Sequence, residues 1–438
     1  MDNKVSLKGC LAWSICALFY MYEFLLRTAL GIFQPNIMLD LHLNVVQFSL
    51  LSATSYQLIY GVMQICVGII VERFRVKWSL CAAIVLCGIA CLGLATTHEF
   101  YTALFYRTIM GLGSSFGFIC LLVITYDWMP QKRIAVFIGI AQFIGTLGPM
   151  FAAGPLHELS IYFNSWREVF CFLAIFSVIF ALLTIFFVNK NPNYYRKFVI
   201  LARPIPLYKK ILQIIQQKQT WLIAIFSGSV YFSIEYLSAN EGITFLMLKG
   251  ATSKISTYML TIAWLGFALG CPFIGYLSDK YQRRRPFIIF CAFTSFFALL
   301  AIIYLPFQPI LTGIYFFILG LGASGSNIGF AIAAEHSNAH NLPLILGFNN
   351  LIVVFFSILC APLIGTTVFH VAIQHPITLI DYQYIFIILT AFIMPAWITA
   401  LGIKETFCKS AVLSTKLHID KENYQTLSLS SEQMEPSS

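Results

Sequence analysis

Residues 13–37 read WSICALFYMYEFLLRTALGIFQPNI, an apolar run long enough to cross a bilayer as one helix. Glu23 and Arg27 lie four residues apart within it, so they share one helix face and can pair. A charge at the bilayer centre costs roughly 3 kcal/mol, so insertion alone explains neither side chain. We expect this face, with Tyr20, Gly31 and Gln34, to look into protein or water. The opposite face, expected to meet lipid, carries Ile15, Leu18, Phe19, Leu25, Leu26 and Ala29.

Composition places the chain among membrane proteins. Its 438 residues are 59% hydrophobic and 10% charged, with a mean hydropathy of +0.81, whereas soluble domains carry about 25% charged residues. The net charge of +9 does not indicate a nucleic-acid partner, because most Lys and Arg residues lie in alternate short loops. The 12 Cys residues lie mostly inside apolar runs and form no Cys-x-x-Cys pair, so we expect neither disulfides nor a metal site. We also expect no cofactor.

Twelve apolar runs of spanning length divide the chain into two halves. We predict an all-α integral membrane fold of twelve transmembrane helices, with six-helix halves at residues 1–189 and 220–403. A basic linker occupies residues 190–219, and the polar tail at 404–438 is predicted to be disordered. The predicted spans lie near 10–36, 46–71, 78–97, 100–126, 134–158, 167–189, 220–247, 254–277, 286–305, 309–334, 343–370 and 382–403.

The loops predict the orientation. Connections after even-numbered spans are basic, whereas the odd-numbered connections carry little net charge. Basic loops stay on the cytoplasmic side, so we predict a multi-pass protein of the cell inner membrane with both termini in the cytoplasm. The basic loop residues are Arg73, Arg75, Lys77, Lys132, Arg133, Lys280, Arg283, Arg284 and Arg285, besides the linker.

Two loops repeat at equivalent places in the halves. After the second span, Gly68 is followed four residues later by Glu72 and then by Arg73. After the eighth span, Gly275 is followed at the same spacing by Asp279 and a basic cluster. Duplicated halves of this kind are how many transporters are built.

At these residues the chain resembles the major facilitator superfamily, whose signature is a Gly-x-Leu-x-Asp-Arg-x-Gly-Arg-Arg-type loop between spans two and three, with a weaker echo between spans eight and nine. The second copy here is the closer match. The first has Glu72 for Asp and Arg75 where Gly is usual, so we expect its tight turn to differ.

Two further motifs support the resemblance, which covers residues from about 10 to 403. Arg107-x-x-x-Gly111-x-Gly113 is similar to the family's second motif, and Gly145-x-x-Gly148-Pro149 to its third. The resemblance implies the twelve-helix fold and secondary transport of the bacterial type, but no particular substrate. The residues assigned to gating or to structural motifs are Gly68, Glu72, Arg73, Arg107, Gly148, Pro149, Gly275, Asp279 and Arg283.

Buried polar residues on the predicted spans are the candidates for binding substrate and protons. Arg27 would take a carboxylate, Glu23 the coupling proton, and Glu235 of span seven an amine or a proton. A structural ion pair or interhelical hydrogen bonds are the alternative explanation. Glu241, beside a possible helix break at Gly242, is predicted to be an interface or gate residue. The binding candidates are Tyr20, Glu23, Arg27, Gln57, Tyr60, Gln142, Tyr231, Glu235 and Asn327.

We therefore predict a monomeric secondary transporter that moves a small polar or zwitterionic metabolite by proton-coupled symport and alternating access. The alternative is a proton antiporter that exports a drug-like or siderophore-like compound. A nutrient receptor without transport is a further possibility that an uptake assay would separate. An intramembrane enzyme is disfavoured, because His336-x-x-x-His340 is a single histidine pair where di-iron hydroxylases need several clusters.

Overall fold

A computed structural model describes residues 6–129, 134–163, 165–188, 207–336 and 342–408. Every regular element within these ranges is a helix, which confirms the all-α prediction. The helices are α1 Leu7–Ile32, α2 Gln34–Asp40, α3 Val45–Ser49, α4 Ser55–Thr96, α5 Phe100–Ser114, α6 Phe116–Trp128, α7 Ile134–Phe163, α8 Trp166–Phe187, α9 Leu207–Ile215, α10 Lys218–Ala239, α11 Gly242–Leu248, α12 Ser253–Tyr281, α13 Arg285–Tyr304, α14 Pro309–Ala323, α15 Gly325–Glu335, α16 Leu342–Gln374, α17 Leu379–Ile385 and α18 Ile387–Gly402.

Ten stretches of the described chain are long and apolar enough to cross a membrane, and a bent pair near span two raises the number to eleven. Helix α7 fills the place of the predicted fifth span with 30 residues but is not among these stretches. The count of twelve therefore stays a prediction. So do the domain boundaries, because residues 189–206 and 409–438 lie outside the described part of the chain.

Helix α1 differs from its prediction on one side. Its first turn is capped by Ser6, whose side chain accepts the backbone N–H of Gly9. Of the residues expected to meet lipid, Leu18 is exposed at 39%, whereas Phe19 and Leu26 are fully buried. The expectation of a lipid-facing side was wrong because neighbouring helices surround α1, and the rest of that face is buried too, except the half-buried Leu25.

The two repeated loops share one backbone feature. Arg75, seven residues after Gly68, breaks α4 with φ 70° and ψ 148°. Gln282, seven residues after Gly275, ends α12 with φ 52° and ψ 39°. Positive φ is the conformation that glycine adopts most readily, and it falls where the family's signature has Gly. The first copy thus keeps a positive-φ break without the glycine.

Polar contacts join the two halves near one face of the bundle. We call this the far face; it holds the end of α1 and the start of α12, and the opposite end is the near face. Near the far face, Gln34 Nε2 donates to Glu241 Oε1 at 2.7 Å and Ser52 Oγ to Asn240 Oδ1 at 2.7 Å. Lys254 also pairs with Glu158 at 2.8 Å. These contacts join residues of the first half to residues of the second, so the far face is closed.

A charged cluster ties together the near face of the second half. Arg284 pairs with Asp279 and with Glu335, both at 2.7 Å. Arg283, which the sequence predicts to belong to this motif, has its guanidinium 5.9 Å from the Phe407 ring. The cation that pairs with Asp279 is therefore Arg284. The turn at Gln282 reverses the chain and brings Arg284 back over the end of α12.

The first part of the predicted tail is ordered. Glu405 accepts the backbone N–H groups of Arg284 at 2.7 Å and Arg285 at 3.0 Å, at the start of α13. The Thr406 hydroxyl donates to Glu335. The expectation of disorder from residue 404 was wrong for residues 404–408, because these hydrogen bonds hold them against the near face.

Candidate functional site

The candidate site is centred on Arg27, which is 6% exposed in the middle of the bundle. Its guanidinium carbon lies 4.4 Å from the centre of the Tyr60 ring and 4.5 Å from that of Phe24. Aromatic faces attract a cation electrostatically and more strongly where water is excluded. These rings hold the guanidinium in place without using up its hydrogen-bond donors.

Two buried carboxyl groups flank this guanidinium. Arg27 Nη2 lies 3.6 Å from Glu23 Oε2 on the same helix, and Nη1 lies 3.6 Å from Glu235 Oε1 on α10. Glu23 is fully buried and Glu235 is 2% exposed. The Arg27–Glu235 pair is thus a contact between the halves.

The site holds two buried guanidinium groups as well as its two buried acids. Arg107, the other buried cation near Glu23, donates to the carbonyls of Leu26 at 2.8 Å and of Arg27 and Ser52 at 2.7 Å. It clamps α1 to the start of span two.

Neutral groups complete the surroundings of the two acids. Tyr56 donates to Glu23 Oε2 at 3.1 Å. Gln57 Nε2 donates to Glu235 Oε1 at 2.5 Å, and Ser357 Oγ donates to Glu235 Oε2 at 2.7 Å. Gln57 belongs to the first half and Ser357 to the second, so Glu235 is also hydrogen-bonded from both sides.

A small cavity adjoins the cluster, directly beneath the closed far face. Several of its polar atoms are buried and make no hydrogen bond among the described residues, including Arg27 Nε, Gln57 Oε1 and Asn240 Nδ2. A polar solute could satisfy these atoms, since unmade hydrogen bonds in a buried site are costly. The cavity is lined by Arg27, Ser52, Ala53, Gln57, Glu235, Tyr236, Ala239, Asn240, Ser357 and Ala361.

Five of the nine predicted binding residues form this cluster, namely Glu23, Arg27, Gln57, Tyr60 and Glu235. Of the other four, Tyr20 and Gln142 contact each other, whereas Tyr231 and Asn327 contact residues outside the predicted set. Tyr20 donates to Gln142 at 2.9 Å within the first half. Tyr231 packs on Trp264 with ring centres 6.2 Å apart, and Asn327 donates to Cys271 Sγ at 2.6 Å.

Several residues of the site were missed from the sequence, four of which show why. Tyr56 and Ser357 lie on polar stripes that contain Tyr60 and Asn350, at spacings of four and seven residues, so helical periodicity could have found them. Ser52 and Asn240 could not be placed this way. A π-helical turn, Leu50–Thr54, shifts the helical register around Ser52, and Asn240 lies in the break after α10.

The motif residues have separate structural positions. A Cβ on Gly148 would lie 2.8 Å from the backbone N of Leu25, so this motif permits close packing of α7 on α1; Pro149 follows inside α7. Gly275 has open space around it. The side chains of Glu72 and Arg73, and the surroundings of Gly68, lie outside the described part of the structure.

Comparison with known proteins agrees with this architecture. The sequence profile of the Major Facilitator Superfamily matches residues 16–362 and 243–407. The chain belongs to the major facilitator superfamily. It is a multi-pass secondary transporter of small metabolites and not an enzyme.

Two curated relatives are sugar-acid transporters by name. The chain is 24% identical to a hexuronate transporter of Bacillus subtilis (strain 168) over 286 residues, 62% of this chain and 67% of that protein. It is also 24% identical to a galacturonate transporter of Dickeya chrysanthemi over 276 residues, 59% of this chain and 78% of that one.

Solved structures support the fold. A bacterial homologue of the human lysosomal transporter Spinster, in an inward-facing and occupied conformation, superposes with a TM-score of 0.67 at 16% identity. The match covers 91% of this chain and 96% of the other. The nucleoside transporter NupG superposes with a TM-score of 0.66 at 15% identity, covering 90% and 99%.

Proposed function

We propose that this protein imports a small solute bearing a carboxylate, together with protons, by alternating access of its two halves. The observation that carries the proposal is the position of Arg27. Its buried guanidinium lies on the cavity wall and contacts two acids. A substrate carboxylate would displace Glu235 from Arg27, since both compete for the same donors. The displaced Glu235 would then bind a proton, because it has lost its counter-charge.

Hexuronates are the first substrate class to test. The two curated relatives are named for hexuronate and galacturonate, which are hydroxylated carboxylates. Arg27 would bind the carboxylate, while Gln57, Asn240 and Ser357 supply hydrogen-bonding groups for hydroxyls. Each of these roles uses a group that already lines the cavity.

A zwitterionic metabolite is the second candidate. Arg27 and Glu235 face each other at 3.6 Å, from opposite halves. A solute with a carboxylate and an ammonium group could insert between them and satisfy both charges. An amino acid or a short peptide has this chemistry.

The proposal also includes direction and location. Basic loops on the near face support a cytoplasmic position for that face. The far face would then meet the outside of the inner membrane, and the monomer would open there to load substrate. Export by proton antiport is the competing direction.

Purified protein in liposomes with a trapped pH dye provides the test. Hexuronates, neutral hexoses, amino acids and lipophilic cations are added outside in separate assays. Inward proton movement with hexuronates but not with neutral hexoses supports the first candidate, and a response to amino acids alone supports the second. Proton movement in the opposite direction with lipophilic cations would replace import by export, and Arg27 would lose its role.

Glu235→Gln should abolish substrate-driven proton uptake while leaving the fold intact. Glutamine keeps the shape of the side chain and one of its two acceptor oxygens, but it cannot bind the proton. Glu158→Gln is the matched control, because it removes an exposed ion pair, and such pairs contribute about 0–1 kcal/mol. Both variants should elute as monodisperse protein. A normal pH profile and full activity in Glu235→Gln would remove Glu235 from the mechanism.

A further inference from the structure

A second buried carboxyl group joins the halves, away from the Arg27 cluster. Glu241 is 1% exposed and lies in the break between α10 and α11. Its Oε1 accepts from Gln34 Nε2 at 2.7 Å, and its Oε2 accepts from the Tyr382 hydroxyl at 2.6 Å. Gln34 belongs to the first half, whereas Glu241 and Tyr382 belong to the second. The Gln34–Glu241 bond must therefore break when the far face opens.

No cation compensates this carboxyl among the described residues. The groups that face it are the phenols of Tyr236 on α10 and Tyr382 on α17, and the amide of Gln34 on α2. None of the ion pairs of the described chain includes Glu241. A buried carboxylate without a cation is costly, so the closed far face stabilises the neutral acid over the ionised form.

The surroundings can also accept a hydrogen bond from the protonated carboxyl group. Gln34 Oε1 is buried and has no hydrogen-bond partner in the described structure. A protonated Glu241 would therefore satisfy an acceptor that the ionised form leaves unpaired.

We propose that Glu241 is a gating proton site: it holds a proton while the far face is closed and releases it to water when the halves separate there. The proton comes from the far-side solution and returns to it, so it is not carried across the membrane. This distinguishes Glu241 from the coupling acids Glu23 and Glu235. The inference rests on the alternating access of the proposed function, but not on its substrate.

The direction of the pH effect follows from this difference. The closed state binds the proton more tightly than the open state, in which water solvates the carboxylate. Raising the far-side pH should therefore favour opening, and lowering it should favour closure. One proton can change the open-to-closed ratio by at most about tenfold per pH unit.

Ser49→Cys provides a reporter of opening. Ser49 is fully buried at the far face, and its hydroxyl lies 2.6 Å from the position of a Cβ on Gly365 in α16. Vesicles with the far face outside are treated with a membrane-impermeant thiol reagent between pH 5 and 8. Peptide mass spectrometry reads modification at position 49 alone, so the native cysteines can stay.

The same reporter in Glu241→Gln is the matched control. Glutamine mimics the neutral acid, and the ratio of the two labelling rates cancels the intrinsic pH dependence of the thiol. We divide the labelling rate of the protein that keeps Glu241 by that of the Glu241→Gln variant. This ratio should be near one at pH 5 and rise several-fold by pH 8. The proton-to-substrate ratio in uptake should be unchanged. A labelling ratio that stays constant with pH, or a changed proton-to-substrate ratio, would overturn the gating site alone. Protection of position 49 at every pH in both proteins would refute alternating access as well.

Tyr382→Phe tests the site independently if Glu241→Gln does not fold. It removes a donor to the ionised carboxyl but keeps the ring, so the closed state should hold the proton to higher pH. The midpoint of labelling should move upward by about one pH unit, because a hydrogen bond to a charged group contributes roughly 1.5–3 kcal/mol. An unchanged midpoint would contradict the assignment.

Discussion

Arg75 adopts a backbone conformation that is unfavourable for any residue with a Cβ. Its φ of 70° and ψ of 148° lie in a region used almost only by glycine. Gln282, at the equivalent place in the second half, lies in the left-handed helical region, which ordinary residues reach at smaller cost. Strain is thus larger in the first loop, where the family's glycine is replaced by arginine.

Arg75→Gly should therefore stabilise the protein by about 1 kcal/mol, since the strain removed exceeds the chain entropy that glycine adds. Gln282→Gly is the matched control and should change stability little, because the two effects nearly cancel there. Thermal unfolding of both variants in detergent measures the difference. Equal shifts in the two variants would mean that Arg75 is not strained.

At the scale of elements, α1 and α7 approach closely through glycine. Gly148 faces the backbone of α1, whereas a Cβ added to Gly139 on the same helix would meet no atom of the described residues within 4 Å. Gly148→Ala should lower the unfolding temperature and reduce transport, because α7 must move away from α1. Gly139→Ala should leave both unchanged or raise stability by up to about 1 kcal/mol through helix propensity. Similar behaviour of the two variants would argue against tight packing at Gly148.

Helix α13 is capped by a residue far along the chain. Burial opposes ionisation of Glu405, but the N–H groups of Arg284 and Arg285 more than offset it and hold its pKa below the ordinary value of 4.5. A lowered folded-state pKa stabilises the fold above that ordinary value, and the contribution is lost as pH falls through the lowered pKa.

Glu405→Gln should accordingly lower the unfolding temperature at pH 7. The difference from the parental protein should stay constant down to about pH 5 and shrink at lower pH, as the parental carboxylate gains its proton. Thermal scans of both proteins across this range measure it. A difference that grows on acidification would have the wrong sign and would contradict the role of the carboxylate.

For the whole molecule, the orientation in the membrane can be tested with native lysines. Lys254 lies at the far face with its side chain 61% exposed, and Lys280 is exposed at the near face. An impermeant amine reagent should label Lys254 in intact cells, and Lys280 only after lysis, if the near face is cytoplasmic. Mass spectrometry of the two peptides reads the result, and the reverse pattern would place the termini outside.

The closed far face and the small cavity fit one state of the proposed alternating-access cycle. The polar contacts between the halves include Arg27–Glu235, Gln57–Glu235, Ser52–Asn240 and Gln34–Glu241. Each of them lies between the middle of the bundle and the far face. Separation of the halves there must break this set, so the Arg27 cluster and the far-face contacts open together.

Hydropathy, loop charge and spacing determined the class of fold, the internal repeat and five residues of the Arg27 cluster. They could do so because a buried charge in an apolar helix is costly, and so it is conspicuous in a sequence. The shared helix face of Glu23 and Arg27 was predictable, since a spacing of four residues brings two side chains onto one face. Their contact at 3.6 Å was not predictable from the sequence.

Only the tertiary structure decided which partners come from other helices. The Glu235 contact with Arg27, the Arg107 clamp on three carbonyls and the Gln34–Glu241–Tyr382 network join residues far apart in the chain. Periodicity describes one helix at a time and contains no information on its rotation against the next. The π turn and the break at Asn240 shift that rotation locally, so the site depends on packing that no single segment specifies.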